Sequence, residues 1–263
     1  NPHVSPLWEN SHAPIVLKTT PTISLAMKII YATDLHGNPQ LYERVLKEAG
    51  KKEIAALVIG GDMAPFLGFG AMRVQRAFLE YYLVPRLERF AISGKPVFVM
   101  MGNDDFGINS DLLEKAELGG ALKLMHNKVF QLGRFSIAGY SCIAPTPFML
   151  KDWEKSEDEI AADLRKLSSK TDAGRTVFVF HAPPANTELD VLYNGSHAGS
   201  TAVLGFIKRK QPMLTLHGHI HESPQLTGSW KQKIGRTLAL NPGSNAFAVV
   251  DLEKPDLSVL VRF

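Results

Sequence analysis

Cysteine is almost missing from this chain. A single one, Cys142, stands among 263 residues, so no internal disulfide can form and no thiolate cluster can hold a structural zinc ion. Long apolar runs are missing as well, and none approaches the ~20 residues that span a bilayer. Internal repeats and low-complexity tracts are absent, which excludes solenoid and array architectures. A large excess of one charge is missing too: 29 Lys and Arg stand against 26 Asp and Glu, so the formal net charge is +3, and the pI is near 8.9. Such a small excess is compatible with anionic ligands but does not single out nucleic acid. What is present is an ordinary globular composition, 45% hydrophobic and 21% charged, sufficient for a sizeable core.

Residues 1–26 lack both the basic opening and the apolar centre of a secretory signal. They read as an irregular N-terminal extension, and the expected address is cytoplasmic. Regular structure is expected from Met27, with 27–263 as one domain. Short apolar runs rich in β-branched residues alternate with helical patterns: MKIIYAT (27–33), a helix over 39–49, IAALVIG (54–60), a helix over 71–90, and PVFVMM (96–101). That alternation predicts parallel pairing through βαβ crossovers. The segment 123–142 reads as short strands with a hairpin turn at Leu132-Gly133-Arg134, hence antiparallel. A polar helix over 154–167, TVFVF (176–180), a helix over 200–210 and MLTLHG (213–218) follow. TLALN (237–241), AFAVVDL (246–252) and LSVLVRF (257–263) complete the chain. The late run of strands predicts a second mixed or antiparallel sheet, so the expected fold is α/β, with two sheets and outer helices.

Five of the apolar runs end on residues able to hold a metal. The first leads to Asp34 and His36, the second to Asp62, and the third to Asn103 with Asp104 and Asp105. TVFVF leads to His181, and MLTLHG to His219 and His221. Ligands of open α/β sheets bind beyond the carboxyl ends of strands, so these termini can converge. In an extended segment, residues i and i+2 share a face, which would pair Asp34 with His36 and His219 with His221. Oxygen and imidazole donors without thiolate suit manganese, iron, zinc or a similar divalent ion. Seven candidates exceed one tetrahedral shell and fit two ions sharing a carboxylate.

The motifs Asp-Leu-His (34–36), Gly-Gly-Asp (60–62), Gly-Asn-Asp-Asp (102–105), His-Ala-Pro-Pro (181–184) and Gly-His-Ile-His (218–221), in this order, resemble those of calcineurin-like metallophosphoesterases. The resemblance runs from Met27 to Phe263 and is nearest to phosphoesterases related to the Icc cyclic-nucleotide phosphodiesterases, through HAPPANTELD (181–190), HAGS (197–200), GHIHES (218–223) and GRTLALNPGS (235–244). It implies two stacked mixed β-sheets flanked by helices, a four-layer αββα sandwich. It also implies two divalent ions: Mn²⁺ first, with Fe, Zn, Ni, Co or Mg as alternatives. Asp34, His36 and His221 would hold one ion, Asn103, His181 and His219 the other, and Asp62 would bridge. The implied activity is hydrolysis of a phosphomonoester or phosphodiester, nucleotide-like among them, by direct attack of a hydroxide held between the ions.

One position departs from the pattern. Many members carry His directly after the motif Asn, to stabilise the phosphate or protonate the leaving oxygen; here Asp104 stands there. A carboxylate beside two cations is a poor general acid near neutrality. Three explanations are open: an easily departing product, another acid, or a weakened site. His197, in the Gly-rich NGSHAGS (194–200), is the candidate for another acid or a phosphate contact.

Other features have plainer readings. His217 shares the strand-face spacing of His219 and His221, but the motif does not require it, so a supporting or packing role is expected. His3, His12 and His126 are expected to be structural or solvated, Cys142 a small buried side chain, and Asp105 a turn or supporting residue. Glu222 could orient a ligand histidine or stand exposed. The clusters Lys208-Arg209-Lys210 and 231–236 read as solvated faces. The segment APFLGFGAM (64–72) could form an apolar wall or lid, fill the core, or contact a subunit. The expected partner is a small phosphorylated substrate, with no membrane. The alternatives are a nuclease on the same site, for which no basic groove with stacking aromatics is evident, and a fold retained as a protein-interaction module.

Overall fold

The computed structural model describes residues 27–66, 70–149 and 151–263. The expected irregular extension, 1–26, lies outside the described residues, as do positions 67–69 of the apolar segment. The chain opens with β1 (Lys28–Ala32), α1 (Pro39–Ala49) and β2 (Ile54–Ile59). Helices α2 (Ala71–Phe78) and α3 (Val84–Ala91) follow, joined through a π-helical turn at Leu79–Leu83, then β3 (Val97–Val99), α4 (Ser110–Leu118) and β4 (Lys123–Leu124). The middle holds β5 (Val129–Leu132), β6 (Phe135–Tyr140), α5 (Glu157–Ser168) and β7 (Thr176–Phe180). Next come α6 (Thr201–Lys210), β8 (Leu214–Leu216), the short α7 (Ser223–Thr227) and β9 (Lys231–Ile234). β10 (Thr237–Leu240), β11 (Ala246–Asp251) and β12 (Val259–Arg262) end the chain.

Local chemistry sets several boundaries. Asn38 accepts the Gln40 N–H at 3.0 Å and Pro39 occupies the first helical position, which together start α1. Ser156 and Glu159 form a reciprocal capping box that starts α5. Gly133, at φ 59°, turns the β5–β6 hairpin.

The strands form two six-stranded mixed sheets, ordered β12-β11-β1-β2-β3-β4 and β5-β6-β7-β8-β10-β9. β1 to β4 run parallel in the first, and β6, β7, β8 and β10 in the second. Side chains alternate across each strand, and the alternation sorts three cores. Ile29 and Tyr31 face a core between the sheets that also takes Val177, Val179, Leu214 and Leu216. Ile30 and Ala32 pack outward with Leu83 and Leu87 of the helical layer. On the other outer face Phe178 and Phe180 meet Ile160 of α5 and Phe206 of α6. Each of the Ile, Val, Leu and Phe side chains so buried contributes about 1.5–3 kcal/mol. The four layers are helix, sheet, sheet, helix, as expected.

The differences are informative. β4 joins the first sheet parallel to β3 and takes no part in the hairpin. The late strands do not make one sheet: β8, β9 and β10 belong to the second, while β11 returns to pair antiparallel with β1 in the first. Strand propensity is the same in either sheet; only the core that each face must cover decides the partner. β9 and α7 are short elements without a periodic signal.

Candidate metal centre

The polar residues after β1, β2, β3, β7 and β8 meet at one edge of the two sheets. The connection after β1 runs alongside the one after β2: Asp34 N–H donates to Gly61 O at 3.1 Å, His36 N–H to Asp62 O at 2.9 Å and Gly37 N–H to Met63 O at 2.8 Å. Neither ligand pair comes from strand alternation, however. Asp34, His36, Asp62 and His219 all have left-handed backbones, at φ 53°, 42°, 48° and 65°. Each costs on the order of 1 kcal/mol or more for a non-glycine residue, so the surrounding fold holds them there. His217 likewise lies past the end of β8, not on its face.

Two groups of ligand atoms result, and Asp62 belongs to both. Asp34, His36 and Asp62 bring one atom each within 4.8 Å of one another, and so do Asp62, His181 and His219. Asn103 adjoins the second group, its Oδ1 3.0 Å from His181 Nε2. His221 adjoins the first, its ring centroid 5.8 Å from that of His36.

The donor chemistry shows what the second group would accept. His181 Nδ1 donates to the Gly60 carbonyl at 2.9 Å, so a neutral ring has an unprotonated Nε2. That Nε2 faces Asn103 Oδ1 and, at 3.3 Å, Asp62 Oδ2. The Asn103 amide is oriented because its Nδ2 donates to Asp104 Oδ1 at 3.1 Å. Three lone-pair atoms therefore converge, and something positive must lie among them: a proton or a metal ion. Without the ion the proton wins. Burial opposes a charge on His181, but Asp62 beside it raises the imidazole to about 9. Burial also opposes the charge on Asp62, and His181 outweighs it, holding that carboxyl well below its usual range. Burial raises Asp34 and, with the charge of His181, pushes His219 down to about 3, leaving its ring neutral for ligation. The residues present fit divalent ions.

Several residues hold this geometry from behind. Asp105 is buried and accepts N–H groups from Met63, Ala64 and Gly102 at 2.9–3.1 Å, tying the second connection to the third. Burial and the charge of Asp62 raise it to about 6 against those hydrogen bonds. Gln75, fully buried, accepts Phe106 N–H at 2.9 Å and donates to Asp104 O at 2.6 Å. Nothing in the sequence marks Gln75, since a glutamine in a helix is common. His217 makes two hydrogen bonds of 2.8 Å, to Ala182 O and Thr215 Oγ1, and burial lowers it to about 4. Both of its ring nitrogens are thus engaged within the protein. His126 is likewise structural, accepting Ser141 N–H at 3.1 Å, and Cys142 is buried.

A cavity of about 640 Å³ opens over the two groups, lined on the polar side by His36, Asp62, Asn103, Asp104, His219 and His221. Glu222 lines it too, with its Oε2 3.7 Å from His221 Nδ1. Phe66, from the apolar segment, contributes to the wall. Asp104 is paired through its carboxylate with Lys151, a residue to which no sequence signal pointed. His197 turns its Nδ1 to the buried Asp190 at 2.7 Å; its neighbour Ala198 lines the cavity, whereas His197 is not among the described lining residues. The basic side chains Lys231 and Lys233 engage Asp256.

The chain is similar to known proteins over most of its length. A protein of Methanocaldococcus jannaschii described as uncharacterized, MJ1162, is 29% identical over 234 residues, covering 87% of this chain and 93% of that one. TT1561 of Thermus thermophilus, a solved structure 17% identical, superposes with a TM-score of 0.67 over 90% of this chain and 99% of its own, a likeness of fold alone. A family model described as calcineurin-like phosphoesterase matches residues 27–223, the span that holds every strand-end residue of the two groups. The chain therefore belongs to the calcineurin-like phosphoesterase family.

Proposed function

We propose that this protein hydrolyses phosphate esters with two divalent ions. The single observation that carries the reading is that Asp62 belongs to both groups of ligand atoms. In this reading Asp34, His36 and His221 hold one ion, Asn103, His181 and His219 the other, and Asp62 bridges. The ions, when bound, withdraw charge from phosphate oxygens and lower the pKa of water, which provides a nucleophile near neutral pH.

The protein's own residues keep that arrangement in place. The Asp104 N–H, 2.8 Å from Asp62 Oδ1, orients the shared carboxylate. The Gly60 carbonyl fixes the His181 tautomer, as partners of ligand histidines commonly do. The Asp34 carboxylate accepts His219 N–H at 3.1 Å and so links the two groups through the backbone. Asp104 acts through its pairing with Lys151, and His197 keeps Asp190 as its partner. A small phosphorylated substrate fits the cavity size, and the oxygen–imidazole donor set makes Mn²⁺ the first metal to test.

The test is reconstitution. Protein stripped with chelator is reloaded with Mn²⁺ and assayed on 4-nitrophenyl phosphate and bis(4-nitrophenyl) phosphate, with metal content measured in parallel. Two ions per chain and activity that vanishes with chelation are expected. Full turnover by metal-free protein would overturn the reading.

A further inference from the structure

The cavity contains a cation that the ligand set does not use. Lys151 lies in the connection between β6 and α5, and its side chain is 5% exposed. It is the only lysine or arginine among the described residues lining the cavity. Its ammonium is paired with the Asp104 carboxylate, whose other oxygen is 4.0 Å from His36 Nδ1. The segment that delivers it is fastened to the loop after β3. Asp152 accepts the Gly107 N–H at 2.8 Å, and the Trp153 indole donates to Asp105 O at 2.9 Å. An ammonium has three N–H donors. Asp104 is its one hydrogen-bond partner among the described residues.

The cavity wall beside Lys151 is aromatic. The Lys151 ammonium lies 4.2 Å from the centroid of Phe66 and 5.9 Å from that of Phe148. Phe148 and Tyr193, both lining the cavity, are 69% and 73% exposed, so much of their ring area is uncovered. Flat rings beside a cation suit a ligand that is anionic at one end and aromatic at the other.

We propose that Lys151, held by Asp104, is a substrate-binding residue that takes a phosphoryl oxygen of an ester lying on the metal centre, and that Phe66, Phe148 and Tyr193 receive an aromatic alcohol portion of that ester. This rests on the phosphoesterase reading and adds to it the binding cation and the class of leaving group. Lysine binds phosphate as a point charge, so the contact adds affinity for every phosphoryl ligand, whereas the rings add it only for aromatic ones. Asp104 is the positioning residue for Lys151.

Calorimetric titration of Mn²⁺-loaded protein with inorganic phosphate, methylphosphonate and phenylphosphonate separates these contributions without turnover. Wild type binds phenylphosphonate about fivefold or more tighter than methylphosphonate. Lys151→Met weakens all three by about tenfold or more at unchanged metal content, and Lys151→Arg restores most of the loss. Asp104→Asn weakens all three by a smaller factor. Tyr193→Ala lowers the ratio of phenylphosphonate to methylphosphonate affinity. Unchanged phosphate affinity in Lys151→Met, or failure of metal-loaded wild type to bind any of the three, overturns the cation assignment. Equal affinity of wild type for the two phosphonates overturns the ring assignment. Hydrolysis of aryl phosphates alongside unchanged phosphate affinity in Lys151→Met leaves the phosphoesterase reading standing alone; phosphonate binding through Lys151 without hydrolysis does the reverse.

Discussion

His181 turns its Nε2 toward Asn103 Oδ1 across 3.0 Å, while its Nδ1 is committed to the Gly60 carbonyl. The atom between them must be a proton or a metal ion, so the two compete. In the metal-free protein the His181 pKa is raised from 6.5 to about 9. Its contribution to stability is therefore complete below pH about 6.5 and is lost as pH rises through about 9. A bound ion supplies the positive charge at either pH and need displace less proton at the higher one. The increase in Tm produced by Mn²⁺ is expected to be larger at pH 8.5 than at pH 6.5. Thermal unfolding with and without metal at both pH values measures it, and a larger increase at pH 6.5 would contradict the assignment.

Asp62 is shared, so its loss is felt twice. Asp62→Asn keeps the shape and removes the charge that both ligand groups use. Metal content is expected to fall below one ion per chain, and ester hydrolysis by at least about a hundredfold. Elemental analysis beside steady-state rates reads both. Retention of both ions would remove Asp62 from the bridging position.

His217 gives the opposite pattern. His217→Ala leaves Ala182 O and Thr215 Oγ1 without their partner in a fully buried place. The orphaned groups cost about 1–3 kcal/mol, which a shift in the urea midpoint reports. Metal content at saturating Mn²⁺ is expected to match wild type. Loss of one ion instead would make His217 a ligand.

Gly102 fails for want of space. A Cβ there would lie 2.5 Å from Asp62 N and 2.6 Å from His181 Nε2. Gly218 is in the same position, with its Cβ 2.5 Å from Asp34 Oδ2. Gly102→Ala and Gly218→Ala are expected to keep the far-ultraviolet circular dichroism of wild type and bind metal at least about tenfold more weakly. Wild-type affinity in either variant would show that the loops around the site move apart freely.

Asp34, Asp62, Asn103, His181 and His219 each follow a strand that its β-branched run announces, and strand ends of α/β sheets are where ligands gather. Order and residue type were therefore enough to nominate the metal-ligand set, the layers and the family. Local pattern could not assign the late strands. The β11 run has the same apolar character as β10, yet β11 pairs with β1 because its Phe247 and Ala248 complete cores on the two faces of the first sheet. Spacing also proposed a wrong route to a right neighbourhood. Asp34 and His36 lie near Asp62 through left-handed turns held by backbone hydrogen bonds to the next loop, not through strand alternation.

The chain by itself determined which residue types stand at the strand ends, because those choices are local and ordered. Only the tertiary structure decided what stands around them. Lys151 lies 47 residues beyond Asp104, in a connection with no regular pattern, and nothing in the sequence around Gln75 distinguishes this buried side chain from a solvent-facing helical glutamine. Their roles arise from which segments the packed sheets bring to one edge, and a charge carries no mark in the sequence of the carboxylate it will meet.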